Sequence, residues 1–260
     1  MEQAEVEAQT GEIIQSYSDL AVHAEVGTII QHHSENKKDI RRVVRDAIPW
    51  DNGIRDILDL GCGYGWFEEA VPAGLDTIGG IDCLEENKRP FLEAARPKAR
   101  EVFFFRMTLP GATGLSTARF DLIVSLYSLY FFPGFLPEIA RLLRPGGLFL
   151  CLTHSASMLE EGQHYFDFRN LRKVIERFSA ENGTTILRPF FTDVRHIDYP
   201  NSLVFHRGDE ASLARYIDFK REFIEKDVDP RIVREKMLSE LRRKGELKFN
   251  KNDRIFLARA

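Results

Sequence analysis

The apolar residues from Ile54 onward come in short, nearly continuous runs that alternate with stretches of helical periodicity. The runs are Ile57–Leu60, Thr77–Ile81, Val102–Phe105, Leu122–Leu126 and Leu148–Leu152, and the helical stretches are Trp66–Val71, Glu85–Ala95, Phe135–Leu143 and Leu171–Phe178. Strands that are apolar on both faces and separated by helices are typical of a parallel sheet covered on both sides. The pattern therefore predicts a doubly wound α/β fold whose ligand lies beyond the carboxyl ends of the strands.

Helical segments flank this core. Residues 10–48 have helical periodicity, and residues 209–245 predict two helices between strands at Val194–Tyr199 and Arg254–Arg259. Ile232, Val233, Met237 and Leu241 form the apolar stripe of the second of these helices. A helical stretch of this length between two strands is too long for a turn and indicates a lid or an insertion. We expect an amino-terminal helical cover at 1–50 and a second domain at 51–260 that carries a helical insertion at approximately 207–246.

A glycine loop follows the first predicted strand, in "DILDLGCGYGWFEEAV" at residues 56–71. Gly61, Gly63 and Gly65 alternate with larger residues, and Asp59 precedes them. A dinucleotide fingerprint would require a third glycine where Trp66 stands, and a phosphate-binding P-loop would require Gly-Lys-Ser/Thr. The loop therefore disfavours a bound pyrophosphate. It favours a ligand with an amino-acid end and a nucleoside end, whose ammonium group Asp59 could face.

Four segments together resemble the class I S-adenosylmethionine-dependent methyltransferases. "DLGCGYG" at 59–65 is similar to the first motif of that family, and "GGIDCLEEN" at 79–87 is similar to the second. "FDLIVSLYSLYFF" at 120–132 and "IARLLRPGGLFLCLTHS" at 139–155 resemble the regions of its fourth and fifth strands. The resemblance covers about residues 54–155 and implies a Rossmann-like sheet of seven strands, mostly parallel, with the last strand antiparallel. It also implies S-adenosyl-L-methionine as cofactor and S-adenosyl-L-homocysteine as product.

The resemblance assigns roles to individual positions. Asp59 would support the cofactor's amino group, Asp82 would accept hydrogen bonds from both ribose hydroxyls, and Cys83 would flank the adenine. Many relatives hold the adenine amino group with an acid after the third strand, but "FFFRMTLPG" at 103–111 has none. The backbone near Met107 and Thr108 would hold the adenine amino group instead. The full set of cofactor-binding candidates is Asp59, Gly61, Cys62, Gly63, Asp82, Cys83, Met107, Thr108, Ser125 and Tyr127.

Two residues are candidates for catalysis. His154 follows the fifth strand, and a histidine is suited to act as a base near neutral pH. Tyr130 follows the fourth strand, where relatives often place a histidine or an aromatic residue that faces the cleft. The alternatives are a hydrogen bond from His154 to Ser155 and simple packing of Tyr130. Tyr17, His23 and His32 are candidate lid residues, and no metal site is expected.

Charge and cysteine content narrow the class further. The net charge of −4 gives no reason to expect binding to nucleic acid or to an anionic membrane. Three cysteines without metal-site spacing, and an acidic first segment without an apolar run, favour a cytoplasmic protein with reduced thiols. The oligomeric state is left open.

The methyl acceptor is the least determined part of the prediction. Relatives that methylate exocyclic amines of nucleic acids carry an Asn/Asp-Pro-Pro-aromatic motif after the fourth strand, where this chain has Ser125-Leu126-Tyr127-Ser128. We therefore expect an enzyme that transfers the methyl group in line to an oxygen or nitrogen of a small molecule. Methylation of protein or RNA, a non-catalytic S-adenosylmethionine-binding protein and a divergent nicotinamide-binding protein are the alternatives.

Overall fold

The computed structural model describes residues 11, 13–14, 17–165, 169–220 and 228–260, and it describes only the backbone of residues 169 and 170. The chain forms two compact units. The helical unit contains the described residues up to Lys37 together with those of Ser155–Glu176 and Pro200–Asn252 that the structure describes, and the sheet unit contains Lys38–His154, Arg177–Tyr199 and Asp253–Ala260. The predicted cover at 1–50 and the predicted insertion each include residues outside the described part, and both stay predictions.

The elements are named here in chain order. The strands are β1 Asp56–Leu60, β2 Leu75–Asp82, β3 Ala99–Arg106, β4 Phe120–Leu126, β5 Leu143–His154, β6 Asp193–Tyr199, β7 Ser202–His206, β8 Glu246–Asn250 and β9 Asp253–Arg259. The α-helices are α1 Leu20–His33, α2 Ile40–Asp46, α3 Lys88–Ala95, α4 Leu136–Leu142, α5 Arg169–Ile175, α6 Gly183–Leu187, α7 Glu210–Phe219 and α8 Pro230–Lys244. Short 3-10 turns include Glu85–Asn87 after β2 and Leu129–Phe131 after β4.

The sheet unit is built on one seven-stranded sheet in the order β3-β2-β1-β4-β5-β9-β6. The first five strands pair in parallel, and β9 inserts antiparallel between β5 and β6. The predicted mostly parallel sheet with an antiparallel last strand is therefore confirmed. From β1 the chain builds outward through β2 and β3, and from β4 it builds toward the opposite edge. The carboxyl ends of β1 and β4 are thus the switch point at which such sheets bind their ligands.

The central strands are held by an apolar core. Ile57, Leu122 and Leu150 are at most 1% exposed, and Phe67 and Phe91 pack in the same cluster from the layer that covers the sheet. Full burial of one such side chain stabilises the fold by about 1.5–3 kcal/mol. This core fixes the ends of β1, β2 and β4, from which the candidate site is built.

Two local predictions were wrong. Trp66–Val71 is not a helix, because the backbone bonds from Ala70 N to Phe67 O and from Val71 N to Glu68 O span three residues and interrupt the four-residue ladder. Residues 63–70 form a succession of turns instead. The apolar run at Val102–Phe105 predicts a buried strand, but Phe105 is 38% exposed because β3 is the edge strand of the sheet.

The helical unit contains the antiparallel pair β7–β8 together with α1, α5, α7 and α8. In α8, Val233, Met237 and Leu241 are buried as predicted, whereas Ile232 is 51% exposed because it lies beside the stripe that faces the core. Gly245 caps this helix at φ +84°, a conformation that glycine adopts readily. No helix in the described ranges combines the length and the apolarity that a membrane crossing requires.

Candidate functional site

The glycine loop leaves β1 with all three glycines at positive φ: Gly61 at +72°, Gly63 at +53° and Gly65 at +87°. A Cβ on Gly61 would lie 2.5 Å from the Cβ of Ser128, so only glycine fits between these two segments. A Cβ on Gly65 would lie 3.0 Å from the Cα of Phe91, which brings the start of the turns close to α3. A Cβ on Gly63 would meet no atom within 4 Å, so the space beside Gly63 is open to a ligand.

Asp82 ends β2 and is tied to the glycine loop. Its Oδ2 accepts the Gly63 N–H at 2.9 Å, and its Oδ1 accepts the Leu84 N–H at 2.9 Å and the Asn87 side-chain amide at 3.0 Å. A carboxylate has about four lone-pair positions, and these donors occupy three of them. Asp82 is therefore held rigidly, and one ribose hydroxyl could add at Oδ2 whereas a second would compete with an existing donor. Asn87 is not among the predicted site residues, although it lies five residues after Asp82 in the quoted second segment.

Asp59 and Glu68 are two buried carboxyl groups at this loop, with 2% and 0% exposure. Oδ1 of Asp59 and both carboxyl oxygens of Glu68 lack a hydrogen-bond donor among the described residues. Burial raises the pKa of Asp59 well above its ordinary value, and the neighbouring charge of Glu68 and a hydrogen bond to Glu68 raise it further. Burial also raises the pKa of Glu68 to about 7. Two carboxylates offer no donor, so the two groups hydrogen-bond to each other only when one of them carries a proton.

The loop cysteine and the residues after β3 lie at the same edge of the sheet. A Cβ on Gly80 would lie 2.8 Å from the Cys62 sulfur, which places this buried thiol in the core and leaves the Cys62 backbone on the loop. Burial raises the pKa of the half-buried Cys83 thiol to about 11. The Met107 N–H donates to the Asp82 carbonyl at 2.8 Å, and Thr108 is exposed beyond it. The adenine-side candidates therefore lie next to Asp82.

The hydroxyls of Ser125 and Ser128 form a buried pair where β4 ends. Its Oγ lies 2.7 Å from Oγ of Ser128, and the Ser128 hydroxyl donates to the Leu60 carbonyl at 2.7 Å. Both serines are buried, so they connect the end of β4 to the end of β1. Ser125 is a predicted site residue and Ser128 is not, because the only signal for Ser128 in the sequence is its place after the fourth strand.

A second cluster lies where β5 ends. The His154 ring nitrogen Nδ1 is 2.6 Å from Oδ1 of Asp253, and the Tyr127 hydroxyl donates to Oδ2 of Asp253 at 2.8 Å. The rings of Tyr127 and His154 stack with centroids 4.5 Å apart, and the Tyr130 ring lies 6.1 Å from the His154 ring. Burial and the charge of Asp253 raise the pKa of Tyr127 well above its ordinary value. We refer to these four residues as the histidine cluster.

Asp253 is the member of the histidine cluster that sequence analysis missed. It is 4% exposed and pairs directly with His154 across the antiparallel strands β5 and β9. The predicted closing strand began one residue later, at Arg254. The sequence offers no sign of this pairing, because His154 and Asp253 are separated by 99 positions.

The candidate lid residues lie in the helical unit. Tyr17 packs edge-on against His23 and against Phe219, at centroid distances of 4.9 and 5.6 Å. Burial and the charge of Lys220 together lower the pKa of His23 to about 4. His32 is exposed. Within the described ranges, no group of three or more histidine, cysteine or acidic side chains could hold a metal ion.

The sheet order, the glycine loop and the carboxylate that ends β2 define a Rossmann-like methyltransferase fold. The family described as "Methyltransferase domain" matches residues 30–190, which is more than half of the chain. The chain belongs to this family, the class I S-adenosylmethionine-dependent methyltransferases, whose members use S-adenosylmethionine as the methyl donor.

Solved structures share the fold. The YcgJ protein of Bacillus subtilis has a TM-score of 0.56 and 19% identity, with 91% of this chain and 98% of that chain covered. An S-adenosylmethionine-dependent methyltransferase of Thermotoga maritima has a TM-score of 0.52 and 13% identity, with 95% and 99% covered. The N-methyltransferase NodS of Bradyrhizobium japonicum, in complex with S-adenosylhomocysteine, has a TM-score of 0.50 and 13% identity, with 85% of each chain covered. The search of curated proteins found no match.

Proposed function

We propose that this protein transfers the methyl group of S-adenosylmethionine to an oxygen or nitrogen of a small molecule. The observation that carries the proposal is the buried carboxyl of Asp59, which stands two residues before the first loop glycine and whose Oδ1 has no donor among the described residues. A buried polar atom without a partner is costly, and a ligand donor removes that cost. The ammonium group of S-adenosylmethionine is such a donor.

The residues of the loop fit the rest of this cofactor. Gly63 leaves open space beside its Cα for the methionine part, and Asp82 is fixed by three donors with room for a ribose hydroxyl. Cys83, Met107 and Thr108 would border the adenine, with backbone groups in place of the acid that many relatives use. Ser125 and Tyr127 would lie on the side of the cofactor's sulfur. The Tyr127 ring would face the sulfur, and Ser125 would fix the backbone where β4 ends.

When bound, S-adenosylmethionine supplies an electrophilic methyl group that a lone pair on the acceptor attacks in line, with S-adenosylhomocysteine as the leaving group. His154 acts as the base that removes the acceptor's proton. Because Nδ1 holds the hydrogen shared with Asp253, the neutral ring carries its lone pair on Nε2, and Nε2 takes the proton. Asp253 then stabilises the imidazolium, and Tyr130 orients the acceptor beside the ring.

A small acceptor is favoured over a macromolecule. The net charge is −4, and the stretch after β4 reads Ser125-Leu126-Tyr127-Ser128 in place of the motif used on nucleic acid bases. Methylation of protein or RNA is the second choice among enzymes.

The test has two stages. Calorimetry with S-adenosylmethionine, S-adenosylhomocysteine and NAD should show binding of the first two only, and turnover of a panel of hydroxyl- and amine-bearing metabolites should then release S-adenosylhomocysteine. His154→Ala should lower turnover at least about 100-fold with unchanged cofactor affinity, and Tyr130→Phe should raise KM. Binding of NAD alone would refute the cofactor assignment. Binding without turnover on metabolites, protein or RNA would indicate a non-catalytic protein.

A further inference from the structure

Glu68 has no role in the site as described so far, yet it is a fully buried acid with both oxygens unpartnered within the described chain. It follows Gly65 in the turns that replace the predicted helix. Its neighbour Glu69 behaves differently, since the Glu69 carboxylate is exposed and pairs with Arg41. The fold therefore places Glu68 in the interior, where an unpaired charge is expensive, and its neighbour Glu69 in solvent.

Three carboxyl groups act on one another at this point. Beyond the effect of burial, the charges of Glu68 and Asp82 raise the pKa of Asp59, and burial followed by all three charges raises the pKa of the Cys62 thiol. Glu69 adds a further negative charge near Glu68. No arginine, lysine or histidine among the described residues forms an ion pair with Asp59 or Glu68. The described residues thus bring several carboxyl groups close together without a cation to balance their charge.

We propose that Asp59 and Glu68 form an acid pair that holds one proton in the free protein and releases it to solvent when the cofactor's ammonium group binds. Glu68 is then a second determinant of cofactor binding beneath the loop. The proposal rests on the cofactor assignment made above. The balance is simple: the hydrogen bond between the two carboxyls is lost, the ammonium keeps its charge and donates to the carboxylates, and one proton passes to the buffer.

The proton makes cofactor affinity depend on pH in a defined direction. Below the pKa of the pair, binding must expel the proton, so the dissociation constant rises as pH falls. With Glu68 titrating near 7, affinity should weaken about tenfold between pH 8 and pH 6. Close to one proton should be released per ligand at pH 6, and almost none at pH 8.

The experiment is calorimetry on the full chain with S-adenosylhomocysteine, at pH 6, 7 and 8, in buffers of different ionisation enthalpy that report the protons released. A matched ligand is 5′-methylthioadenosine, which keeps the nucleoside and the thioether but lacks the amino-acid end. Its affinity should change less than about twofold over the same range, because nothing displaces the proton.

Two variants complete the test. Glu68→Gln leaves Asp59 as the only titratable group of the pair, so the pH dependence of S-adenosylhomocysteine binding and the proton release should both fall below the wild-type values. Glu69→Gln makes the same chemical change at the neighbouring exposed acid, and its binding of S-adenosylhomocysteine should keep the wild-type pH dependence. Circular dichroism checks that both variants fold.

Each outcome decides the matter. The acid pair is overturned if the wild type binds S-adenosylhomocysteine equally well at every pH, or if Glu68→Gln keeps the wild-type pH dependence. The cofactor assignment stands in either case. Failure of both nucleosides to bind at any pH overturns the cofactor assignment as well. If Glu68→Gln does not fold, the wild-type proton release with S-adenosylhomocysteine, compared with that for 5′-methylthioadenosine, decides alone.

Discussion

Replacing Glu68 by glutamine should stabilise the free protein at alkaline pH. The pKa of Glu68 is raised from its ordinary value of 4.5 to about 7 by burial, so the folded state holds the proton more strongly than the unfolded state. The stability that this proton confers is fully present below about pH 4.5 and is lost as pH rises through about 7. At pH 8 the native protein must therefore keep a buried carboxylate without a cation, and glutamine removes that charge.

The size of the effect follows from the pKa difference. One pKa unit corresponds to about 1.4 kcal/mol, so the raised pKa costs the free protein about 3 kcal/mol at pH 8 relative to strongly acid pH. Most of this difference falls between pH 5 and pH 8. Glutamine has nearly the volume of the protonated acid, so the variant and the wild type should be similarly stable at pH 5 and should separate as pH rises.

Urea unfolding at pH 5, 6, 7 and 8 measures this directly. The free energy of unfolding of Glu68→Gln, minus that of the wild type, should increase by about 2–3 kcal/mol from pH 5 to pH 8. Glu69→Gln, at an exposed neighbour, should show a difference that hardly changes with pH. A constant difference for Glu68→Gln across the range would refute the reasoning, because it would mean that Glu68 titrates alike in the folded and unfolded states.

Further predictions concern the strand ends. Asp253→Asn removes the charge that stabilises the protonated His154 ring, so turnover should fall about 10- to 100-fold and its pH profile should shift, while S-adenosylhomocysteine affinity measured by calorimetry stays the same. Asp82→Asn should weaken S-adenosylhomocysteine binding by about 10- to 100-fold, since a hydrogen bond to a charged group contributes about 1.5–3 kcal/mol, and unchanged affinity would contradict the ribose role. Gly61→Ala should cost about 2–4 kcal/mol of unfolding free energy, because the new Cβ is both at positive φ and 2.5 Å from a neighbouring Cβ. Gly63→Ala, with open space around it, should cost only about 1–2 kcal/mol, and equal losses in the two variants would contradict the steric argument.

The sheet could be predicted because its signal is local. Each central strand is a short apolar run with helical residues on either side, and buried parallel strands require that composition. Asp59 and Asp82 could be placed at one edge for the same reason, since each stands at or near the end of such a run. The family could be named because four such segments occur in order, with the glycines at the expected turn.

The features that could not be predicted from the sequence depend on contacts between distant residues or on whether a single side chain is buried. Glu68 and Glu69 are the same residue type at adjacent positions, and only the turn geometry decides that one is buried. Asp253 meets His154 through the register of two antiparallel strands, which no periodicity encodes. Ser128 matters because a loop approaches Gly61, and Ile232 is exposed because helix periodicity defines a stripe less sharply than packing does.

The place of β9 in the sheet has a consequence for the order of events during synthesis. Because β9 inserts between β5 and β6, the strand that brings Asp253 to His154 must enter a gap between two earlier strands. Such non-local pairing is slow to form. A nascent chain that has not yet emerged past Asp253 would already possess the glycine loop and the Asp82 carboxylate that is bound to it. It would gain the contact between Asp253 and the His154 ring only once β9 pairs with β5.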